Sequence, residues 1–289
     1  MHMVECAKHL LAADYRRAID HFSPDAIEEI RLRRGRPPYI LMNGREELLD
    51  KRKVQDRDLY RLLEVATGAS MHTAAPMLAE GFLTYRGLRI GVCGTAIVRD
   101  GIFSGFRTYT SAAIRIPTEH PGICDAVASR LLENGFQSTL ILSPPGGGKT
   151  TALREIIRKL SQAGYRVGVA DDRNELALMN EGYAQFDLGE HCDVITGAEK
   201  SRSATMLLRG MNPQVIAMDE ISSERDMLAV EQLFGCGVSI LASAHAAGPA
   251  DLKSRGTYKQ ILDRHIFQYL VTITGTGSGR QYTVARIEQ

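Results

Sequence analysis

The sequence predicts an α/β protein, with a mostly parallel sheet flanked by helices and a smaller α+β module in front of it. Three observations carry that expectation. After Gly122, short apolar runs alternate with helical patterns, the order that gives parallel strands covered on both faces. Before Pro117 the chain is rich in arginine and in short apolar/charged alternations instead. Between them, the apolar run from Thr139 ends in Ser143-Pro144-Pro145-Gly146-Gly147-Gly148-Lys149-Thr150-Thr151, a strand running into a glycine-rich loop and then a helix. The composition shift at Pro117–Gly122 sets the expected domains at residues 1–117 and 118–289.

In the first domain, Leu10–Phe22 is expected to be helical. Ile30-Arg31-Leu32-Arg33 alternates, so Ala26–Arg33 reads as a strand, and Tyr39–Met42 follows it before an Asn43-Gly44 turn signal. Asp56–Thr67 is a helical pattern with Asp56 or Asp58 as candidate N-cap and Gly68 as its stop. Met71–Glu80 is a further helix candidate, ended by Gly81. Phe82–Tyr85, Arg89–Val98 and Ile102–Phe106 are antiparallel strand candidates, the last two joined at Arg99-Asp100-Gly101.

In the second domain the expected strands are Thr139–Ser143, Arg166–Ala170, Val215–Met218, Val238–Ser243 and Tyr269–Thr274. The expected helices are Ile123–Glu133, Thr150–Gln162, Ser201–Arg209, Glu224–Phe234 and Tyr258–Phe267. Gln281–Ile287 alternates and is expected to pair with the strand before Gly275–Gly279.

Bulk properties exclude several function classes. Hydrophobic residues make up 44% of the 289, charged residues 24%, and the net charge is +1. Such a chain can build a core, and nothing in its charge calls for nucleic acid or an anionic membrane. The five cysteines are scattered, with no Cys-x-x-Cys, which argues for free thiols in a reducing compartment. No secretory signal and no apolar run of membrane-spanning length is visible, so the expected location is cytoplasmic, with any membrane role coming through partners.

The loop at Ser143–Thr151 has the chemistry of a nucleoside triphosphate site. Gly146, Gly147 and Gly148 let the backbone curl and aim N–H groups at an anion. Lys149 can reach the β- and γ-phosphates, and the Thr150 hydroxyl can ligate Mg²⁺. The full motif asks for glycine where Ser143 stands. Val215–Met218 is an apolar strand ending in Asp219-Glu220, where a carboxylate can hold a Mg²⁺ water and its neighbour can orient or deprotonate the attacking water. Asp171-Asp172-Arg173-Asn174-Glu175 closes another strand, with Asp172 and Glu175 as candidates to position metal or water. Ser243-Ala244-His245 closes a third, and His245 could sense the γ-phosphate. Arg209, at a helix end, could neutralise transition-state charge in its own or a neighbouring subunit, as could Arg31, Arg33, Arg107 or Arg115.

Several segments resemble the stage III sporulation protein AA family. They are Ile27–Arg33 with Gly35-Arg36-Pro37, Ala66-Thr67-Gly68-Ala69-Ser70, Gly81–Thr84, Arg89–Ala96, Ser143–Thr151 and Asp219-Glu220-Ile221. That family is similar to the ATPases of type II and type IV secretion systems. The resemblance implies a RecA-like P-loop ATPase core, a smaller N-terminal domain and a homo-hexameric ring. It implies ATP and Mg²⁺ as cofactors, with Lys149 and Thr150 on phosphate and metal, Asp219 and Glu220 as the acidic pair, Asp171, Asp172 and Glu175 as an acidic box, and His245 in a histidine box. It further implies docking on membrane subunits of a stage III sporulation channel complex between mother cell and forespore. Two places depart from the pattern: Ser222 stands where the related ATPases usually carry arginine, and Ala246-Ala247-Gly248 is looser than usual.

Three functions remain open on the sequence: a motor that hydrolyses ATP, a nucleotide-gated scaffold or switch with little turnover, and a nucleic-acid-dependent ATPase. Near-neutral charge and the lack of an aromatic-plus-basic stripe weigh against the last. No motif distinguishes ATP from GTP.

Overall fold

The computed structural model describes residues 3–287 apart from 43, 69–77, 79–80, 100–101, 181, 255 and 276–278. The expected helix Met71–Glu80, all but Leu78, lies outside the described residues, as do Asn43, Asp100 and Gly101 of the expected turns. The chain divides into two compact units, Met1–Thr118 and Glu119–Gln289.

The first unit holds helices α1 (Met3–Leu10), α2 (Ala13–Ile19) and α3 (Asp56–Ala66) and strands β1 (Ile27–Arg33), β2 (Tyr39–Met42), β3 (Arg45–Leu48), β4 (Phe82–Tyr85), β5 (Leu88–Arg99) and β6 (Ile102–Arg115). The strands form one antiparallel sheet in the order β3-β2-β1-β6-β5-β4. Inward residues such as Ile30, Leu32, Ile90 and Ile114 are fully buried, as are Leu10, Tyr15 and Leu62 from the helices.

The structure differs from the sequence expectation at several points here. Helix α1 and strand β3 were not expected, and the expected helix Leu10–Phe22 is only α2, beginning after Ala12, which takes an extended backbone. The cap of α3 is Gln55, and Asp58 closes the capping box from the third helical position by accepting the Gln55 N–H at 2.8 Å. The strand expected to stop at Phe106 continues to Arg115, since pairing with β5 on one side and β1 on the other satisfies the backbone through Ser111-Ala112-Ala113, small residues that interrupt the strand pattern.

The second unit is the α/β layer predicted from alternation. Its strands are β7 (Thr139–Ser143), β8 (Val167–Asp171), β9 (Cys192–Thr196), β10 (Val215–Met218), β11 (Ser239–His245), β12 (Tyr269–Thr274) and β13 (Gln281–Arg286). Its helices are α4 (Asp125–Leu132), α5 (Lys149–Gln162), α6 (Lys200–Met211), α7 (Glu224–Gly235), α8 (Pro249–Ser254) and α9 (Gly256–Asp263). The sheet order is β13-β12-β7-β11-β10-β8-β9, parallel throughout except for β13, which returns antiparallel on β12. Strand β9 was not expected. It lies parallel along β8 at the sheet edge, only half-buried along its length, so it lacks the apolar run that marks the central strands.

Alternate residues of the central strands go to opposite faces. Leu140, Leu142, Ile216, Met218 and Ile240 pack with α6 and α7 through Leu207, Val230 and Leu233. Ile141, Val215, Ala217 and Leu241 pack with α5 through Leu153, Ile156, Ile157 and Leu160. Burial on both faces explains the nearly unbroken apolar runs read in the sequence.

Candidate nucleotide site

Parallel pairing puts the C-terminal ends of β7, β11, β10 and β8 side by side on one edge of the sheet. There they frame a cleft of about 370 Å³ lined by Gly146, Gly148, Lys149, Thr150, Thr151, Glu175, Asp219, Glu220, His245 and Arg280.

The loop owes its shape to its small residues. Gly148 takes φ +96° and serves as the N-cap of α5, a left-handed conformation disfavoured for residues with a Cβ. Ser143, at the position where the motif usually has glycine, is fully buried beneath the loop and donates to the Pro144 carbonyl at 3.0 Å. Its hydroxyl occupies the space that a Cβ on Gly147 would take, 1.7 Å from that position. The serine and Gly147 therefore accommodate each other. Pro144 and Pro145 are exposed on the outer arm, outside the cleft lining, and Gly147 is buried within the turn.

Lys149 is buried, and burial holds its pKa below the usual 10.5 against the opposing pull of Asp219 and Glu220. Its ammonium donates to His245 Nδ1 at 2.7 Å. That donation leaves the ring hydrogen on Nε2, which faces Glu220 Oε1 at 3.3 Å. The other Glu220 oxygen accepts from Arg173 at 2.6 Å. A continuous polar line thus runs from Lys149 through His245 and Glu220 to Arg173.

The acidic pair is held from below. Thr150 Oγ1 donates to Asp219 Oδ2 at 2.7 Å, and Ser243 Oγ donates to Asp219 Oδ1. The Glu220 N–H donates to Ser243 Oγ at 2.9 Å. Buried Lys200 donates to the carbonyls of Asp219 and Glu220 at 2.8 and 2.7 Å. Glu220 sits at φ +50°, a left-handed conformation that costs about 1–3 kcal/mol for a residue with a side chain and is sustained by these contacts.

The acidic box separates into different tasks. Asp171 is buried and accepts the N–H groups of Glu175, Leu176 and Ala177 at 2.8–3.1 Å. Burial raises its pKa despite those three bonds, and the residue braces the loop. Asp172 faces Lys200 at 3.8 Å and is not in the cleft lining. Glu175 does line the cleft, and its carbonyl accepts from Arg154 at 2.8 Å. Arg154 is buried against the Phe186 ring, with burial pulling its pKa down to about 10. Arg209 is exposed on the last turn of α6 and does not line the cleft.

The donor set suits Mg²⁺. Thr150 and Asp219 present hard oxygens side by side, and among the described residues no group of three or more His, Cys, Asp or Glu could hold a metal alone. Such a pair needs phosphate oxygens and water to complete an octahedron, as Mg²⁺ sites usually do.

Four contributors carried no assigned role from the sequence: Lys200, Arg154, Arg173 and Arg280. Arg173 was at least within a strand-end cluster. Arg154 lies in the helix after the loop, on a face the motif does not specify, and Lys200 and Arg280 are separated in sequence from every motif, so only tertiary proximity reveals their roles.

Fold and site together define an α/β protein with a RecA-like P-loop core. Two solved structures share its architecture. The pilus retraction motor PilT with bound ADP aligns over 95% of this chain and 82% of its own, with a TM-score of 0.63 and 18% identity. The Legionella pneumophila ATPase DotB aligns over 93% and 78%, with a TM-score of 0.62 and 16% identity. The chain belongs to the family described as sporulation stage III, protein AA, whose model matches residues 2–284. It is 33% identical to the Bacillus subtilis stage III sporulation protein AA over 269 residues, 90% of this chain and 86% of the relative. Among the described residues no helix is long and apolar enough to cross a membrane.

Proposed function

We propose that this chain hydrolyses ATP and works as a secretion-type motor of endospore formation, energising a channel complex between mother cell and forespore. The observation that carries the reading is the convergence of Lys149, Thr150, Asp219, Glu220, Glu175 and His245 on one cleft. Loop N–H groups and the Lys149 ammonium bind the phosphates. Glu220 orients the attacking water and takes its proton as the bond to the γ-phosphorus forms and the bond to the β-γ bridging oxygen breaks. His245, between Lys149 and Glu220, links the phosphate-binding cation to the base. Thr150 and Asp219 would hold Mg²⁺, which supplies charge neutralisation on the β- and γ-phosphates. Asp172 stands behind them on Lys200.

As a motor the chain acts as a homo-hexameric ring in the cytoplasm and docks on membrane subunits of the sporulation complex without itself entering the bilayer. Arg209, outside its own cleft, is available to a neighbouring subunit's nucleotide, as are the arginines of the first unit. ATP turnover of the wild type, Lys149→Ala and Glu220→Gln, measured with mass in solution with and without an ATP analogue, tests this reading. Turnover that is abolished in both variants and a six-fold mass support it. Equal, non-zero rates in wild type and Lys149→Ala would overturn it.

One contact favours a second reading, a nucleotide-gated switch with little turnover. One oxygen of Glu220 is already occupied by the Arg173 guanidinium at 2.6 Å, which holds the carboxylate away from an attacking water. Tight nucleotide binding with negligible turnover, raised by Arg173→Ala, would select the switch.

A further inference from the structure

Arg280 is the one cleft-lining cation that the phosphate-loop motif does not account for. It lies immediately before β13, at the end of the connection from β12. Strand β12 runs parallel beside β7, with Thr272 opposite Leu142, so its C-terminal end emerges next to the phosphate loop. The connection is pinched shut: Gly275 has φ +77°, and a Cβ there would strike the Gly279 carbonyl at 2.5 Å. The returning chain delivers the Arg280 guanidinium against Gly148, whose missing Cβ would lie 3.0 Å from both Cζ and Nε. A side chain on Gly148 would collide with it.

Arg280 is half-buried at the cleft. Its Nε is buried with no hydrogen-bond acceptor among the described residues. No carboxylate among them lies within ion-pair distance, although Asp219, Glu220 and Glu175 line the same cleft. Elsewhere arginines beside carboxylates are paired, as Arg52 is with Asp58 and Arg158 with Glu155. A buried guanidinium donor without an acceptor is costly, and a planar fork of this kind matches phosphate oxygens.

We infer that Arg280 is a second phosphate-binding cation of the nucleotide site, acting in the same chain as Lys149 and contacting phosphoryl oxygens across Gly148. The inference rests on the nucleotide reading of the cleft and deepens it. The hairpin β12–β13 then becomes part of the binding site, and the phosphates are gripped from two sides: by Lys149 from the helix and by Arg280 from the sheet edge.

The test is titration of the full-length protein with ADP, ATP, inorganic tripolyphosphate and adenosine, for wild type, Arg280→Ala, Arg280→Gln, Arg280→Lys and Lys149→Ala. Melting temperatures are measured alongside, and any variant that melts far below the wild type is replaced in the comparison by the better-folded of the other two. The expected result is affinity about 10- to 50-fold weaker for ADP, ATP and tripolyphosphate alike in Arg280→Ala and Arg280→Gln. Arg280→Lys recovers part of the loss, and the salt dependence of binding becomes shallower when the charge is removed. Loss for ADP and ATP with tripolyphosphate binding unchanged would assign Arg280 to the base or ribose and overturn the inference. So would wild-type affinity in Arg280→Ala. If the wild type itself fails to bind while folded, or if Lys149→Ala binds normally, the nucleotide reading fails instead.

Discussion

The charges of the first unit and those around the cleft of the second are held in different ways. In the first, arginines and acids neutralise one another: Arg31 with Glu29, Arg33 with Glu46, Arg34 with Asp56, Arg52 with Asp58 and Arg115 with Glu29. In the second, a lysine, an arginine, a histidine and three acids meet in one cleft, and several are held by neutral partners or by none. Lys149 rests on an imidazole, Lys200 on carbonyls, and Asp171 on backbone N–H groups. The contrast follows from topology. In the antiparallel sheet Glu29 sits directly across from Arg115, whereas a parallel sheet gathers its strand ends, and whatever they carry, at one edge. Paired charges stabilise a fold; gathered and incompletely paired charges make a place for a ligand.

That contrast can be broken or sharpened by substitution. The largest effect is expected at Lys149→Ala, with nucleotide affinity more than about 100-fold weaker by titration and the melting temperature unchanged or raised, since a partly desolvated ammonium is removed. Glu220→Gln is next: turnover falls about 10²- to 10⁴-fold in a steady-state assay while binding persists. Loss of binding in that variant would make Glu220 structural.

Two buried acids then test the units against each other by pH. Asp171→Asn costs about 2–3 kcal/mol in denaturant unfolding at pH 7, because one carboxamide oxygen cannot accept three N–H groups. The Asp171 pKa is raised, so its proton is held more tightly in the folded state, and the gap between wild type and variant widens as pH falls through that raised value toward 3.8. Asp58→Asn costs about 1–2 kcal/mol. Burial pushes the Asp58 carboxyl up, but Arg52 and the Gln55 N–H together hold it below 3.8. Its contribution is therefore complete above 3.8 and is lost as pH falls through the lower folded value, so this gap narrows in acid. Gaps that change in the same direction as pH falls in both units would contradict the contrast. The smallest effect is expected at Arg17→Ala, whose exposed pair with Asp14 is worth less than about 0.5 kcal/mol.

The legible parts of the sequence were those with a period or a fixed spacing. Strands Val215–Met218 and Tyr269–Thr274 match residue for residue; the first is an unbroken apolar run buried on both faces, and the second is carried by Leu270, Val271 and Ile273. Strand β9 and the reach of β6 to Arg115 were not legible, because edge exposure in one and small residues in the other remove that signal. In the cleft, Lys149, Thr150, Asp219, Glu220, Glu175 and His245 follow from motif or strand-end position, and the structure places all of them in its lining. It places Ser143 beneath the loop, Asp172 on Lys200 and Arg209 on the exposed end of α6.

By itself the sequence determined the α/β alternation, the phosphate loop and the acids at strand ends, because each depends on residues close together in the chain. Only the tertiary structure decided how those pieces meet. It set β11 between β7 and β10, so that His245 bridges Lys149 and Glu220. It also brought Arg280, 132 positions from Gly148, against the glycine-rich loop. Hydrogen bonds and ion pairs act over a few ångströms in space, and chain separation says nothing about them until the sheet order is fixed.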